Sequence, residues 1–195
     1  MALARCGDGS DFFEKNYDRI YRYVRGMVRD ANEAEDLTQD AFLRAYRERE
    51  TVKDPNAMLS WLYRIATHLT LDRLRQRTRL AAREAPVDPA EFDPPDLELP
   101  ASDQNLEQEQ MSECVQRFLV NIPDTFRAVI LLHDSQGLTG PEIANLLGVS
   151  LPTVKIRLHR ARLRLKAALE AGCSFSCDSR GVLVCEPRHS DSQVR

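Results

Sequence analysis

The chain has 195 residues, 27 Lys and Arg against 30 Asp and Glu, 43% hydrophobic and 29% charged content. Its longest apolar run, Ala128–Leu132, is five residues, against the roughly 18–20 that span a bilayer. With only Arg5 and no apolar stretch near the start, neither membrane insertion nor a secretory signal is expected, and eight Gly and ten Pro rule out a collagen-like or low-complexity chain.

The net charge of −3 conceals a segregated pattern. Residues Ser60–Arg83 carry six Arg and one acid, and Ile143–Leu169 carry six basic residues and no acid. Between them, Glu84–Gln110 hold nine acids and no Lys or Arg. Charges more than about 8–10 Å apart are largely screened at physiological salt, so two local cationic surfaces count for more than the total.

The first helix is expected from Ser10 or Asp11 to about Arg29, with Phe13, Tyr17, Ile20, Val24 and Met27 on one apolar face. Asn32 and Glu35 have capping-box spacing and open a second helix whose inner face holds Ala34, Leu37, Ala41 and Ala45. Its opposite stripe is Asp36, Asp40, Leu43 and Arg47, with Gln39 alongside. On spacing alone that stripe reads as a solvated face.

Asp54–Pro55 supplies a cap and a helix-initiating proline for a helix from Leu59 or Ser60 to about Arg79. Leu62, Ile65, Ala66 and Leu69 take its core side, and Arg64, His68, Leu71 and Arg75 the other. Trp61 and Tyr63 place aromatic rings beside these arginines. Rings stack on unpaired bases while arginines hold phosphates; Trp61 serves equally well as a core residue. Residues 81–105 contain five prolines and read as an extended acidic linker or spacer.

After the linker come helices around Gln104–Leu119 and Asp124–His133. Thr139 and Glu142 form a second capping box around Gly140 and Pro141. Ile143, Ala144 and Leu147 make a short helix ended by Gly148, and Ser150 caps another from Leu151 to about Glu170. This is a helix-turn-helix arrangement. Val154, Leu158, Ala161, Leu165 and Ala168 form the seam of the second helix. Lys155, Ile156, His159 and Arg160 project away from it, while Arg157, Arg162 and Arg164 flank it, as base readout and phosphate contacts require.

Two segments in order now carry a family resemblance. The stretch Ala34-Glu-Asp-Leu-Thr-Gln-Asp-Ala-Phe-Leu-Arg-Ala-Tyr46, with Trp61-Leu-Tyr-Arg-Ile-Ala66 and Leu71-Asp-Arg-Leu-Arg75, resembles region 2 of a bacterial RNA polymerase sigma factor. Gly140-Pro-Glu-Ile-Ala-Asn-Leu-Leu-Gly-Val-Ser150 through Thr153-Val-Lys-Ile-Arg-Leu-His-Arg-Ala-Arg162 resembles region 4. The absence of a region 3 between them is similar to the extracytoplasmic-function (ECF) subfamily.

The resemblance implies an all-α fold of two small helical domains. Region 2, a three- or four-helix bundle, would cover residues 10–80, and the acidic Pro-rich linker, residues 81–105, would follow it. Region 4, the helix-turn-helix, would cover 106–170, with a cysteine-containing extension over 171–195. It further implies a cytoplasmic, non-enzymatic subunit directing promoter recognition, DNA melting and initiation at stress- or metal-responsive promoters. Its partners would be core polymerase, through the β′ coiled coil and β flap, promoter DNA and an anti-sigma factor. Asp36, Gln39, Asp40 and Arg44 match the polymerase-docking surface, replacing the solvated-face reading. Residues Thr51–Met58 match the loop that captures a flipped −10 base, and Trp61, Arg64, Thr67, His68 and Arg75 the −10 and melting helix. Flipped bases cost a few kcal/mol to unstack and need pockets to hold them. Lys155, Ile156, Arg157, His159 and Arg160 match the −35-facing positions, and the acidic linker would thread the RNA exit path. Ile156 and the pair Thr139-Gly140 depart from the family pattern.

Cys6, Cys114, Cys173, Cys177 and Cys185 are not expected to form a disulfide framework in a reducing compartment. Residues Ser174–Cys177 and Val182–Cys185 can pair as a hairpin across Asp178-Ser-Arg-Gly181, bringing Cys173 and Cys185 together. Cys173, Cys177, Cys185 and His189 are then candidate ligands for Zn or Cu, a thiol redox switch, or unremarkable reduced thiols. Two further classes compete with a sigma factor. A free-standing helix-turn-helix regulator would bind duplex DNA without polymerase. An enzyme using the thiols or histidines finds no H-E-x-x-H, phosphate loop or nucleophile elbow here.

Overall fold

The computed structural model describes residues 8–28, 30–54, 57–84, 115–119, 121–177 and 183–187. Helix α1 spans Asp8–Met27 and α2 spans Ala31–Glu48, followed by a 3-10 turn at Arg49–Thr51. Helix α3 spans Met58–Glu84. Residues 115–119 are helical, α4 spans Asp124–Ile130, and a π-helical turn continues it over Leu131–Ser135. Helix α5 (Gly140–Leu147) and helix α6 (Leu151–Gly172) form the helix-turn-helix. Strands β1 (Cys173–Cys177) and β2 (Leu183–Pro187) pair antiparallel behind it. Among the described residues the architecture is all-α apart from this hairpin.

Local chemistry explains the boundaries. Asp30, not Asn32, caps α2, its carboxylate accepting from the Glu33 N–H at 2.8 Å. That corrects the expected box. Such a cap is worth about 1 kcal/mol. Pro55 and the linker beyond residue 84 lie outside the described residues, although α3 itself continues five residues past the expected end at Arg79. The second box is present, with the Glu142 carboxylate accepting from both the Thr139 N–H and its hydroxyl. These bonds hold the Glu142 carboxyl below its ordinary range. Gly148 ends α5 at φ 64°, and the Val149 N–H reaches back to the Ala144 carbonyl at 3.0 Å. That left-handed turn disfavours any residue with a Cβ by roughly 1–2 kcal/mol. Ser150 caps α6 through the Thr153 N–H.

The inner faces of α1, α2 and α3 bury Ile20, Val24, Met27, Ala34, Leu37, Ala41, Ala45, Leu62, Ile65 and Ala66, as their spacing requires. Tyr23 and Tyr63 are also buried, ring centroids 5.5 Å apart in an edge-to-face contact. Leu71, expected on the outer side of α3, is buried as well.

The helix-turn-helix does not stand apart from this bundle. Val129, Leu132, Ile143, Leu146, Val154 and Ala161 belong to the same continuous core. Leu131 lies where a Cβ on Gly26 would meet its methyls at 3.0 Å. The Tyr63 hydroxyl donates to Gln136 Oε1 at 2.7 Å. Arg127, 4% exposed, donates to the carbonyl of Met27 at 2.5 Å. A linker between two charge-segregated units suggests independent heads; here apolar surface on both is covered by mutual packing.

The hairpin is also one residue out of the expected register. Cys173 pairs with Pro187, and Cys185 pairs with Phe175. The strand begins where α6 ends, at Gly172, whose missing Cβ leaves room for the Phe118 ring.

Candidate nucleic-acid and polymerase interface

Helix α2 shows its two faces cleanly. Ala34, Leu37, Thr38, Ala41 and Ala45 face the core, and Asp36, Gln39, Asp40 and Arg44 are exposed on the other side. The Arg44 Nε donates to the Glu48 carboxylate at 2.9 Å and the Gln39 amide to Glu35 at 3.3 Å. Asp36 and Asp40 are solvent-facing carboxylates one turn apart.

Beside this stripe lies an apolar groove of about 680 Å³ between α1 and α2, lined by Phe13, Tyr17, Phe42, Leu43 and Tyr46. Leu43 and Tyr46 are each 55% exposed, and the Arg49 guanidinium sits 4.1 Å over the Tyr46 ring. Sequence reasoning missed most of this surface. Tyr46 continues the Leu43 stripe at i+3, a signal that could have found it.

On α3, Arg64, His68 and Arg75 are exposed and Trp61 is partly buried against the core. Arg75 donates to Asp72 at 2.7 Å. Thr67 is contradicted as a surface residue. It is 0% exposed, donates to the Tyr63 carbonyl at 2.7 Å and shares a 2.8 Å hydrogen bond with the Tyr23 hydroxyl. Burial pushes the Tyr23 phenol above its ordinary range. A hydroxyl so placed satisfies an interior tyrosine and cannot touch a base. Further along the helix, Arg73 and Arg77 both donate to Glu33 at 3.0 Å, fixing this end of α3 to the first turn of α2.

On α6, Lys155, Ile156, His159 and Arg160 are exposed together, Arg157 is half-buried, and Val154 and Ala161 are buried behind them. Ile156 is 53% exposed and places an aliphatic side chain on this face. Arg162 differs from the expected phosphate contact. Its Nε donates to Asp134 Oδ2 at 2.9 Å and its Nη2 to the other oxygen. The Arg162 hydrogen bonds, with that of His133, hold the Asp134 carboxyl below its ordinary range. Arg164 lies 5.6 Å from the Phe126 ring.

The candidate ligand set loses a member. Cys173 is 1% exposed and packs with Phe118, Leu165, Ala168 and Leu169. Its register partner is not Cys185. Among the described residues no group of three or more His, Cys, Asp or Glu could hold a metal. The side chains of Cys177 and Cys185, together with Cys6, Cys114 and His189, lie outside the described residues. No helix among the described residues is long and apolar enough to cross a membrane.

The geometry defines a helical protein with one acidic helix face and two basic helices, one inside a helix-turn-helix. Residues 12–80 match the model of Sigma-70 region 2 and residues 112–165 that of Sigma-70, region 4. The chain is 35% identical over 173 residues to the ECF RNA polymerase sigma factor SigE of Mycolicibacterium smegmatis, covering 87% of this chain and 64% of that protein. It is 32% identical to the ECF sigma factor SigW of Bacillus subtilis, covering 82% and 88%. The fold matches the sigma factor RpoE solved with the anti-sigma factor NepR from Bartonella quintana, at a TM-score of 0.62, 20% identity and 83% and 98% coverage. It also matches CnrH, solved with the cytosolic domain of CnrY, at 0.61, 23% identity and 86% and 91% coverage. The chain belongs to the ECF RNA polymerase sigma factors, initiation factors that give RNA polymerase its choice of promoter.

Proposed function

We propose that residues 10–80 and 106–170 divide the work of initiation in this chain. Asp36, Gln39, Asp40 and Arg44 meet core polymerase at the β′ coiled coil, with the Leu43–Tyr46 groove beside them supplying apolar area. Interfaces of this kind pair a desolvated aromatic or aliphatic anchor with a polar rim. Trp61, Arg64, His68 and Arg75 on α3 engage the −10 element. Lys155, Ile156, His159 and Arg160 on α6 face the −35 bases, with Arg157 at the phosphates. Residues 81–105 act as the acidic tether. The protein works in the cytoplasm, carries no catalytic chemistry of its own and is bound by an anti-sigma factor, a reading supported by the complex of RpoE with the anti-sigma factor NepR.

One observation carries this reading. The acid and amide stripe of α2 is solvent-facing, with Leu43 exposed beside it, while Leu37, Thr38 and Ala41 on the opposite face are buried. A carboxylate pair on a rigid, Asp30-capped helix is a preorganised site for a basic partner.

The double variant Asp36→Lys, Asp40→Lys tests it. We expect loss of co-elution with core polymerase, an unchanged far-ultraviolet spectrum and an unchanged melting temperature within about 2–4 °C. Retained co-elution would overturn the assignment.

A further inference from the structure

We infer that Ile156 is a specificity-determining residue of the recognition helix: its exposed side chain meets the C5-methyl group of a thymine in the −35 element, so that one promoter position is read by apolar contact and not by a hydrogen bond. The inference rests on the promoter-recognition reading above and adds the chemical group that one side chain reads.

Position on the helix is the first ground. At the ordinary α-helical pitch, Ile156 lies within about 30° of the direction opposite the buried Val154 and Ala161. It stands near the crest of the exposed face, with Lys155 and His159 to one side and Arg160 to the other. The crest goes deepest into a major groove, and the N-terminal part of a recognition helix is the part that contacts base edges. Ile156 lies in the second turn of α6, which begins at Leu151. That end of the helix is firmly held. Ser150 accepts from the Thr153 N–H at 3.3 Å, and a Leu151 methyl stands 3.0 Å from where a Cβ on Gly140 would lie.

Chemistry is the second ground. Residues Ile143–Leu169 carry six basic side chains and no acid, a charge that holds the helix to phosphates whatever the sequence. Ile156 adds neither charge nor hydrogen bond, and with 53% of its surface exposed it is not spent on the core. On the floor of the major groove each base pair presents donors and acceptors, and the thymine methyl is the apolar feature among them. An isoleucine over a purine edge or a cytosine amino group strips water from a polar atom and offers it no partner, which is penalised. Over a thymine methyl the same burial is favourable.

Leu163 supplies the internal comparison. It is 54% exposed and sits on the same crest, about 10 Å farther along the helix axis. Its exposure equals that of Ile156, but its place does not, because it lies past the N-terminal turns that reach base edges. Any general effect of surface hydrophobicity is common to both side chains. Base reading belongs to Ile156 alone.

The test uses holoenzyme assembled from core polymerase and the full chain, bound at fixed salt to a promoter fragment recovered by run-off transcription. Each thymine of the −35 element, on either strand, is replaced in turn by deoxyuridine, which removes the methyl and keeps every hydrogen-bonding group. With the wild-type chain, one such replacement should weaken binding about three- to fivefold, the effect of one buried methyl group. Ile156→Ala should bind the thymine and uracil fragments equally at that position, and Leu163→Ala should keep the wild-type preference. Both substitutions fall on exposed helix positions, where Ala is well tolerated. Comparing the variants on the same two fragments removes any effect of the methyl on the DNA itself. No uracil effect at any −35 thymine would overturn the inference, as would a preference that survives in Ile156→Ala or disappears in Leu163→Ala. So would weaker binding of Ile156→Ala to core polymerase, which would assign the side chain to a protein contact. Failure to recover such a fragment, or wild-type holoenzyme that binds it no better than core polymerase alone, would instead overturn the promoter-recognition reading of the surfaces and this inference with it.

Discussion

Arg162 grips Asp134 with both edges of its guanidinium, Nε to one carboxylate oxygen at 2.9 Å and Nη2 to the other. The pair ties the recognition helix to the π-helical turn in front of it. Asp134→Ala should lower the urea midpoint slightly, by an equivalent of about 1 kcal/mol or less because both side chains are partly exposed. It should leave promoter affinity intact. A large loss of promoter affinity, measured with assembled holoenzyme, would show that the pair shapes the reading surface itself.

The same pair sets a pH dependence. Hydrogen bonding to Arg162, and then to His133, depresses the Asp134 carboxyl below its ordinary 3.8. A depressed carboxylate contributes stability above the unfolded value and loses it as pH falls through the folded one. The advantage of wild type over Asp134→Asn should be constant from neutral pH to about 4 and shrink below that. Denaturant midpoints of both proteins from pH 7 to pH 3 check this; an advantage that grew on acidification would contradict the geometry.

Thr67→Val should behave as an interior lesion. It removes the hydroxyl bonded to the buried Tyr23 hydroxyl at 2.8 Å, leaving a polar group without its partner at a cost of about 1–3 kcal/mol. Thermal unfolding should register the loss. Holoenzyme made from folded protein should still open promoters at the wild-type rate. A stable variant with impaired melting would restore Thr67 to the DNA surface.

Arg160 and Arg162 should separate cleanly. Arg160 is exposed and uncommitted to Asp134, so Arg160→Ala should cost about 1–3 kcal/mol of −35-dependent promoter binding and nothing in polymerase binding. Arg162→Ala should cost mainly stability. Filter binding of holoenzyme at fixed salt distinguishes them. Equal losses of promoter affinity would contradict the assignment.

Much of this was legible one helix at a time. The apolar spacing of α1, α2 and α6 marks their buried faces, and the Thr139–Glu142 box forms where it was read because every partner lies within one turn. Asp30-x-x-Glu33 and Asn32-x-x-Glu35 overlap, and pattern alone cannot choose between them; the structure selects Asp30. Thr67 and Leu71 were misplaced because α3 is covered on more sides than a surface helix, so its buried arc is wider than a single stripe. The hairpin register depends on cross-strand pairing that leaves no local mark in the sequence. Arg127 was invisible for the same reason. Its carbonyl partner lies 100 residues away in sequence.

Multi-round run-off transcription by core polymerase on a genomic fragment library tests the central claim most directly. With the chain present, transcripts should start downstream of one shared pair of sequence elements, and the Asp36→Lys, Asp40→Lys variant should yield none above core polymerase alone. Starts that do not depend on the chain, or sequence-specific duplex binding by the chain without polymerase, would contradict it.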